Sequence, residues 1–422
     1  METRLQEPYW QGLPRAFWYL WLGTLISRLG GFVFTFLAIY LTEQQGFSVE
    51  AAGLVVSLYG AGSLCAGPLG GMLADRIGRR ATLFGGLFCA SVALLHLGFA
   101  RGFLRIAIGT LLLGCATDVG RPAAQAAVAD LVPPEERTRA YGLLYWAINL
   151  GFAGAAMLAG LLAHLNFLLL FIGDAVGTFC FGCIVFLRLP ETRPVARNRE
   201  PGVPAAGGTA ATLLRLLTPY RDRIFISLVL IHFTVAWVFC QSIVSLPLDM
   251  SRHGIPIARF GQLIAINGIL IVLLQPLAVR IVTRIARGRV LALGSLLNGC
   301  GFGLCAISHS QAFYVLSIVI WTIGEILLAP VIPTLVADLA PRELRGSYQG
   351  GFQLCWGAGA LLGPAFGGLI MGRLGANALW LLCFVIGVAS AWLHLLHARV
   401  RRRLLLTLPE SAGALSREDG RG

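Results

Sequence analysis

The sequence predicts an all-α membrane protein, with twelve transmembrane helices in two pseudo-symmetric six-helix bundles. Three observations carry this. Hydrophobic residues make up 57% of the 422 and charged residues only 13%, about half the charged share of a soluble domain. Apolar runs near twenty residues recur along the whole chain, each long enough to cross a hydrocarbon core of roughly 30 Å. Finally, the second half repeats the first at a fixed shift of 208 residues.

In chain order, spans are expected near 17–41, 51–72, 81–100, 104–129, 141–165 and 167–187. The first is a full span with no small-residue cleavage site behind it, so it is not read as a signal peptide. Residues 190–223 carry Pro, Gly and Arg in excess and read as a linker, with a short amphipathic helix at 211–217. Six more spans follow near 224–246, 260–281, 290–308, 312–337, 347–371 and 378–397, and an Arg-rich tail closes the chain. The organisation implied is a bundle over 1–189, a cytoplasmic linker over 190–223, a second bundle over 224–399 and a cytoplasmic tail over 400–422.

The repeat is residue-specific. Ala129-Asp130-Leu131 returns as Ala337-Asp338-Leu339, and Pro133, Glu135, Arg137 and Gly142 return as Pro341, Glu343, Arg345 and Gly350. Pro68, Arg76, Arg79, Pro122 and Gly160 return as Pro276, Arg284, Arg287, Pro330 and Gly368. One register holds from helix 2 to helix 5 without a gap, the pattern of a duplicated six-helix unit.

The net charge is +13, and every Lys+Arg residue is Arg. These arginines sit between spans, so the positive-inside rule explains them and no nucleic-acid partner is expected. Most lie at the termini, in the linker and in the loops after helices 2, 4, 8 and 10; the opposite loops hold only Arg101, Arg105, Arg252, Arg259 and Arg373. Both termini are therefore expected in the cytoplasm. The ten cysteines fall mostly inside apolar spans, where Cys acts as a small packing residue, so neither a disulfide framework nor a metal site is expected.

Between helices 2 and 3 the chain reads Gly71-Met-Leu-Ala-Asp75-Arg76-Ile-Gly78-Arg79-Arg80. Gly71 and Gly78 permit close approach and a tight turn. Asp75 can meet a helix N-terminus, and Arg76, Arg79 and Arg80 can pair with Asp130 and Glu135 below helix 4 or with lipid phosphate. This segment resembles, without departure, the signature loop of the major facilitator superfamily. The resemblance spans helix 1 to helix 12. It implies two bundles around a central cavity lined by helices 1, 4, 7 and 10, a cytoplasmic latch formed by this loop, and a monomer. A narrower resemblance is to the proton-driven drug exporters, through Asp118-Val-Gly-Arg121-Pro122 in helix 4 and Gly324-Glu325 with Pro330 in helix 10. Gly363-Pro364-Ala-Phe-Gly367-Gly368 in helix 11 is similar to that branch's antiporter motif. The motif belongs in helix 5, where this chain has Ala155-Ala156-Met-Leu-Ala159-Gly160, and the branch's usual helix 4 Arg is Thr110.

Ionised side chains inside a bilayer cost at least about 2.5 kcal/mol each at a helix centre, so each needs a reason. Arg28, Asp118, Arg121 and Glu325 fall near the middle of helices 1, 4 and 10, and helix 7 adds His232, Trp237 and Gln241. Asp118 and Arg121 share a helix face, either as a structural pair or as a substrate or proton site. Glu325 has no basic neighbour within a turn; an apolar setting favours the neutral carboxyl, as proton coupling requires. Glu325 and Asp118 are the expected proton carriers. Arg28 either balances one of them or binds an anionic substrate. Gln241, Asn149, Asn267, Gln275 and Gln353 are candidates for a polar cavity wall, Trp146, Trp237, Trp321 and Trp356 for a stacking surface, and Asp174 is expected nearer the outer surface in a structural role.

No G-x-x-x-x-G-K-[ST], G-x-S-x-G or H-E-x-x-H occurs, so neither ATP hydrolysis nor other catalysis is expected, and no cofactor. An ion gradient, by default of protons, is the expected energy source. The expectation is a bacterial inner-membrane exporter of hydrophobic small molecules in exchange for protons. Uptake of an anionic metabolite, or a non-transporting receptor or scaffold, are the alternatives.

Overall fold

The computed structural model describes residues 12–31, 33, 37, 40–47, 49–165, 167–194, 217–243, 245–255, 257–308 and 310–407. Twelve long helices follow the expected order: α1 (Arg15–Leu29), α2 (Val49–Ile77), α3 (Arg79–Phe99), α4 (Phe103–Leu131), α5 (Arg137–Leu165), α6 (Phe167–Arg188), α7 (Arg223–Phe239), α8 (Ile257–Val282), α9 (Arg287–Leu304), α10 (Gln311–Leu339), α11 (Arg345–Leu374) and α12 (Ala376–Thr407). Among the described residues, ten helices are long and apolar enough to cross a membrane. Large apolar side chains such as Phe99, Leu187, Leu273 and Leu374 are exposed on the outer surface, as a lipid-facing surface requires.

The two six-helix bundles repeat the same packing. In the first, α1 packs on α5 and α6, α2 on α4, and α3 on α4 and α6; in the second, α7 packs on α11 and α12, α8 on α10, and α9 on α10 and α12. The bundles meet through α2 against α11 and α5 against α8. The repeated prolines sit inside helices at matching places, Pro68 and Pro276 in α2 and α8, Pro122 and Pro330 in α4 and α10. Neighbouring helices re-satisfy the backbone groups that such prolines free. Small residues set the closest crossings. A Cβ on Gly114 would stand 2.1 Å from Tyr59 O, and one on Gly70 2.1 Å from Val119 O, so α2 and α4 touch backbone to backbone.

Several boundaries differ from the expectation. The loop between helices 2 and 3 is one residue: α2 runs through Asp75 and Arg76 to Ile77, Gly78 turns with φ +108°, and α3 starts at Arg79. Ala-Asp-Arg-Ile is good helical sequence, and only the glycine breaks it. Helix 7 ends at Phe239, followed by a 3-10 turn Cys240–Ser242 and a short helix Ser245–Arg252. The last helix runs on to Thr407 through the arginines expected to open the tail. Residues 211–216 of the expected linker helix and 408–422 of the tail lie outside the described residues. All ten cysteines are free, including Cys180 and Cys183, whose C-x-x-C spacing falls within α6.

Candidate functional site

A cavity of about 650 Å³ lies between the bundles. Helices α1, α4, α7 and α10 bring Arg28, Asp118, Arg121, His232 and Glu325 to it, and α11 brings Gln353. The inward helix faces thus bring these charges together at one space. Asp174, in the first turns of α6, also lines this cavity. Its Oδ2 accepts the Val33 N–H at 3.3 Å and its Oδ1 the Thr178 hydroxyl at 3.5 Å.

The acids are held by neighbours. Arg121 Nη2 lies 3.0 Å from Asp118 Oδ1, as the i, i+3 spacing predicts, and the Ser63 hydroxyl donates to Asp118 Oδ2. The Arg121 side chain is 42% exposed against 11% for Asp118, so the arginine faces the cavity and the aspartate backs onto α2. Glu325 Oε1 accepts the Tyr145 hydroxyl at 2.5 Å and Oε2 accepts Asn267 Nδ2 at 2.8 Å. Tyr145 belongs to α5, so this carboxyl joins the two bundles. Asn267 is one of the expected polar-wall residues; Tyr145 carries no charge, and nothing in its local sequence marks it.

Two expected cavity residues, Gln241 and Trp237, are buried away from the cavity. Gln241 is fully buried; its Nε2 donates to Trp237 O at 3.1 Å and Gly363 O at 3.0 Å, and its Oε1 accepts Ser245 Oγ at 2.7 Å. It fastens the end of α7 to α11. Trp237 is buried too and donates to Leu362 O at 3.3 Å. Asn149 donates to Tyr145 O at 3.0 Å, one turn back on its own helix. The 3-10 turn after Phe239 swings this end of α7 toward α11. The antiporter-like run makes room for it: a Cβ on Gly363 would stand 2.8 Å from Cys240 Cβ, and one on Gly367 2.0 Å from Gln241 Oε1. Gly368 has open space around its Cα, and the side chain of Pro364 lies outside the described residues.

At the arginine-rich end the bundles are tied together. Asp75 accepts the Gly346 and Ser347 N–H groups at 2.9 and 2.7 Å and the Ser347 hydroxyl at 2.6 Å, which places an anion on the N-terminus of α11. Gly71 makes this possible, because a Cβ there would stand 2.3 Å from Gly346 O. Arg79, fully buried, lies 3.3 Å from Asp75 and donates to Asp130 Oδ2, Ala74 O and, across the interface, Arg342 O, each at 3.0 Å. Arg345 reaches across to Asp130 at 2.6 Å. Arg137 reaches the other way to Asp338, which also holds Arg287. Each aspartate thus takes one arginine from its own bundle and one from the other. Arg137, Arg287, Arg345 and Asp338 were absent from the expected latch, although the repeat had preserved each member of the pattern.

The remaining latch residues divide differently from the expectation. Arg80 points away from Asp130: one helical step rotates it about 100° from Arg79, and it donates to Phe186 O with its guanidinium 5.1 Å over that ring. The Arg79 and Arg80 N–H groups at the start of α3 instead meet the Glu191 carboxylate, at 2.9 and 3.2 Å. Arg76 is exposed. Glu135 sits exposed on the 3-10 turn Pro134–Glu136, outside the Arg79 network. Hydrogen bonds join the bundles from the arginine-rich end up to the level of Glu325.

Comparison with known proteins agrees with this architecture. A family model described as Major Facilitator Superfamily matches residues 20–248 and 225–416. The chain is 28% identical over 391 residues to the uncharacterized MFS-type transporter YttB of Bacillus subtilis, covering 91% of this chain and 96% of that one. It is 25% identical over 379 residues to the multidrug resistance protein MdtH of Aeromonas salmonicida, covering 88% and 93%. The crystal structure of the human organic anion transporter MFSD10 superposes with a TM-score of 0.76 over 92% of this chain and 100% of that one, at 19% identity; at that identity the likeness is one of fold.

Proposed function

Because the chain belongs to the major facilitator superfamily, we propose that this multi-pass membrane transporter is proton-coupled and exports hydrophobic small molecules by alternating access. The observation that carries the reading is Glu325: a cavity-lining carboxyl of one bundle held by a hydroxyl of the other. A hydrogen bond to an ionised carboxylate contributes about 1.5–3 kcal/mol, and one between neutral groups about 0.5–1.5. Protonating Glu325 therefore weakens the clasp between α5 and α10 by about 1 kcal/mol or more. Proton binding and the rocking of the bundles are coupled at that point. Asp118, paired with Arg121, is the second proton carrier.

The orientation in this reading puts the arginine-rich end and both termini in the cytoplasm of a bacterium, within its inner membrane. The latched state then faces outward, and opening the Asp75, Asp130 and Asp338 contacts admits cargo from inside. The chain works as a monomer. Similarity to the multidrug resistance protein MdtH supports export over uptake.

The test uses everted membrane vesicles from cells expressing the protein. An acid interior should drive accumulation of an uncharged lipophilic dye such as Nile red, and a protonophore should abolish it. Accumulation that persists without the gradient, or that needs ATP alone, overturns the reading.

A further inference from the structure

We propose that the cargo is an amphipathic organic anion, an aromatic body bearing a carboxylate-type group, with the anion on Arg28 and the rings against the opposite wall. This rests on the transporter reading above and names the chemical class carried.

The inference follows from which charged groups in the cavity already have partners. Asp118 is held by Ser63 and Arg121, Asp174 by Val33 and Thr178, and Glu325 by Tyr145 and Asn267. Arg28 is the exception. Among the described residues its guanidinium has neither a hydrogen bond nor an ion pair, and its one close contact is the Phe152 ring, 5.2 Å away. Arg121, Asp118, Asp174 and Tyr59 are within electrostatic reach of it, but both aspartates are engaged elsewhere. Its five N–H donors therefore remain available to a ligand. A planar guanidinium matches a carboxylate in bidentate fashion. Arg121, with much of its side chain facing the cavity, adds a second positive charge on the same side.

The other bundle faces this with rings. His232 packs 5.0 Å from Phe352 and 5.8 Å from Trp356, and Phe239 meets Trp356 edge-on at 5.5 Å and 84°. All four line the cavity. Such a surface takes an aromatic or flat apolar body by offset or edge contacts. A cargo using both walls bridges the bundles, which is what lets its binding bias their rocking.

Binding of naphthaleneacetate and of its uncharged amide, naphthaleneacetamide, to the purified full-length protein separates charge from shape, read by quenching of tryptophan fluorescence. The wild-type protein should bind the acid at least about tenfold more tightly than the amide. Arg28→Gln should bring that ratio close to one, and Arg28→Lys, which keeps the charge and loses the fork, should restore it in part. Equal binding of acid and amide by the wild type, or a ratio unmoved by Arg28→Gln, overturns the inference. Vesicle transport distinguishes this from failure of the export reading. If Nile red is pumped in a proton-dependent way and naphthaleneacetate does not bind, proton-coupled export stands and the anionic cargo falls. If naphthaleneacetate binds through Arg28 and its movement ignores the proton gradient, the anionic cargo stands and proton coupling falls.

Discussion

Glu325 and His394 are both surrounded by apolar helices, yet only Glu325 has its hydrogen bonds met. Its partners Tyr145 and Asn267 are neutral donors, so no fixed charge is tied to it. Glu325→Gln keeps the size and one acceptor oxygen and removes the proton. Dye accumulation in everted vesicles should fall about tenfold or more, and what remains should be flat from about pH 6 to about pH 8. A wild-type rate with its pH profile intact would move the proton site to Asp118. His394 is 1% exposed, and neither ring nitrogen has a partner among the described residues. An unmet buried polar group costs about 1–3 kcal/mol. His394→Leu, close in volume, should therefore leave Tm unchanged or raise it by roughly 1–3 °C, measured by thermal unfolding in detergent. A clear fall in Tm would mean that the ring nitrogens bind ordered water.

The α2–α11 crossing depends on four glycines. Gly67 and Gly71 face Gly350 and Gly346, and a Cβ on Gly350 would stand 2.3 Å from Gly67 O. That closeness brings Asp75 within reach of the first N–H groups of α11. Gly71→Val should wedge the helices apart, breaking those bonds without touching the carboxylate. Backbone hydrogen exchange at Gly346 and Ser347 should then speed up by about tenfold or more, and transport should fall. Unchanged exchange would show that the crossing tolerates the side chain. At this scale much was legible in advance: the apolar runs located the helices, and Gly71, Asp75 and Arg79 announced a latch. What hydropathy does not carry is the rotation of a helix about its axis, which neighbours decide. Trp237 lies near the end of a cavity helix and Gln241 in the 3-10 turn that follows it, yet both side chains bond to α11. Arg79 and Arg80 are adjacent, and only one faces inward. Tyr145 became visible as a site residue only once its helix was set against α10.

Across the whole molecule the repeat explains why the closed end is nearly symmetric, and the exceptions indicate where it is not. Asp130 and Asp338 are equivalent positions, as are Arg79 and Arg287, and Arg137 and Arg345; each Asp binds one Arg of its own bundle and one of the other. The equivalent of Asp75 is Thr283, whose hydroxyl turns back to Arg280 O at 3.1 Å, and the equivalent of Gly71 is Val279. A Cβ on Gly142 would stand 2.2 Å from Val279 Cγ2, so α5 and α8 cross around a side chain while α2 and α11 cross backbone to backbone. The helix-terminus latch therefore works on the α2–α11 side, and the arginine pairs close both sides. Two variants separate these contributions. Asp75→Asn removes the charge from the α11 N-terminus and should weaken closure by about 1–2 kcal/mol, in line with capping losses. Hydrogen exchange at Gly346 and Ser347 should rise by about tenfold while exchange at the start of α5 stays unchanged. Asp338→Asn loosens Arg137 and Arg287 together and should raise exchange at the start of α5 most. If Asp75→Asn instead loosened both crossings equally, the two sides of the closed end would be acting as one rigid seal, and the pseudo-symmetric arginine pairs, rather than the single aspartate, would set the energy of opening.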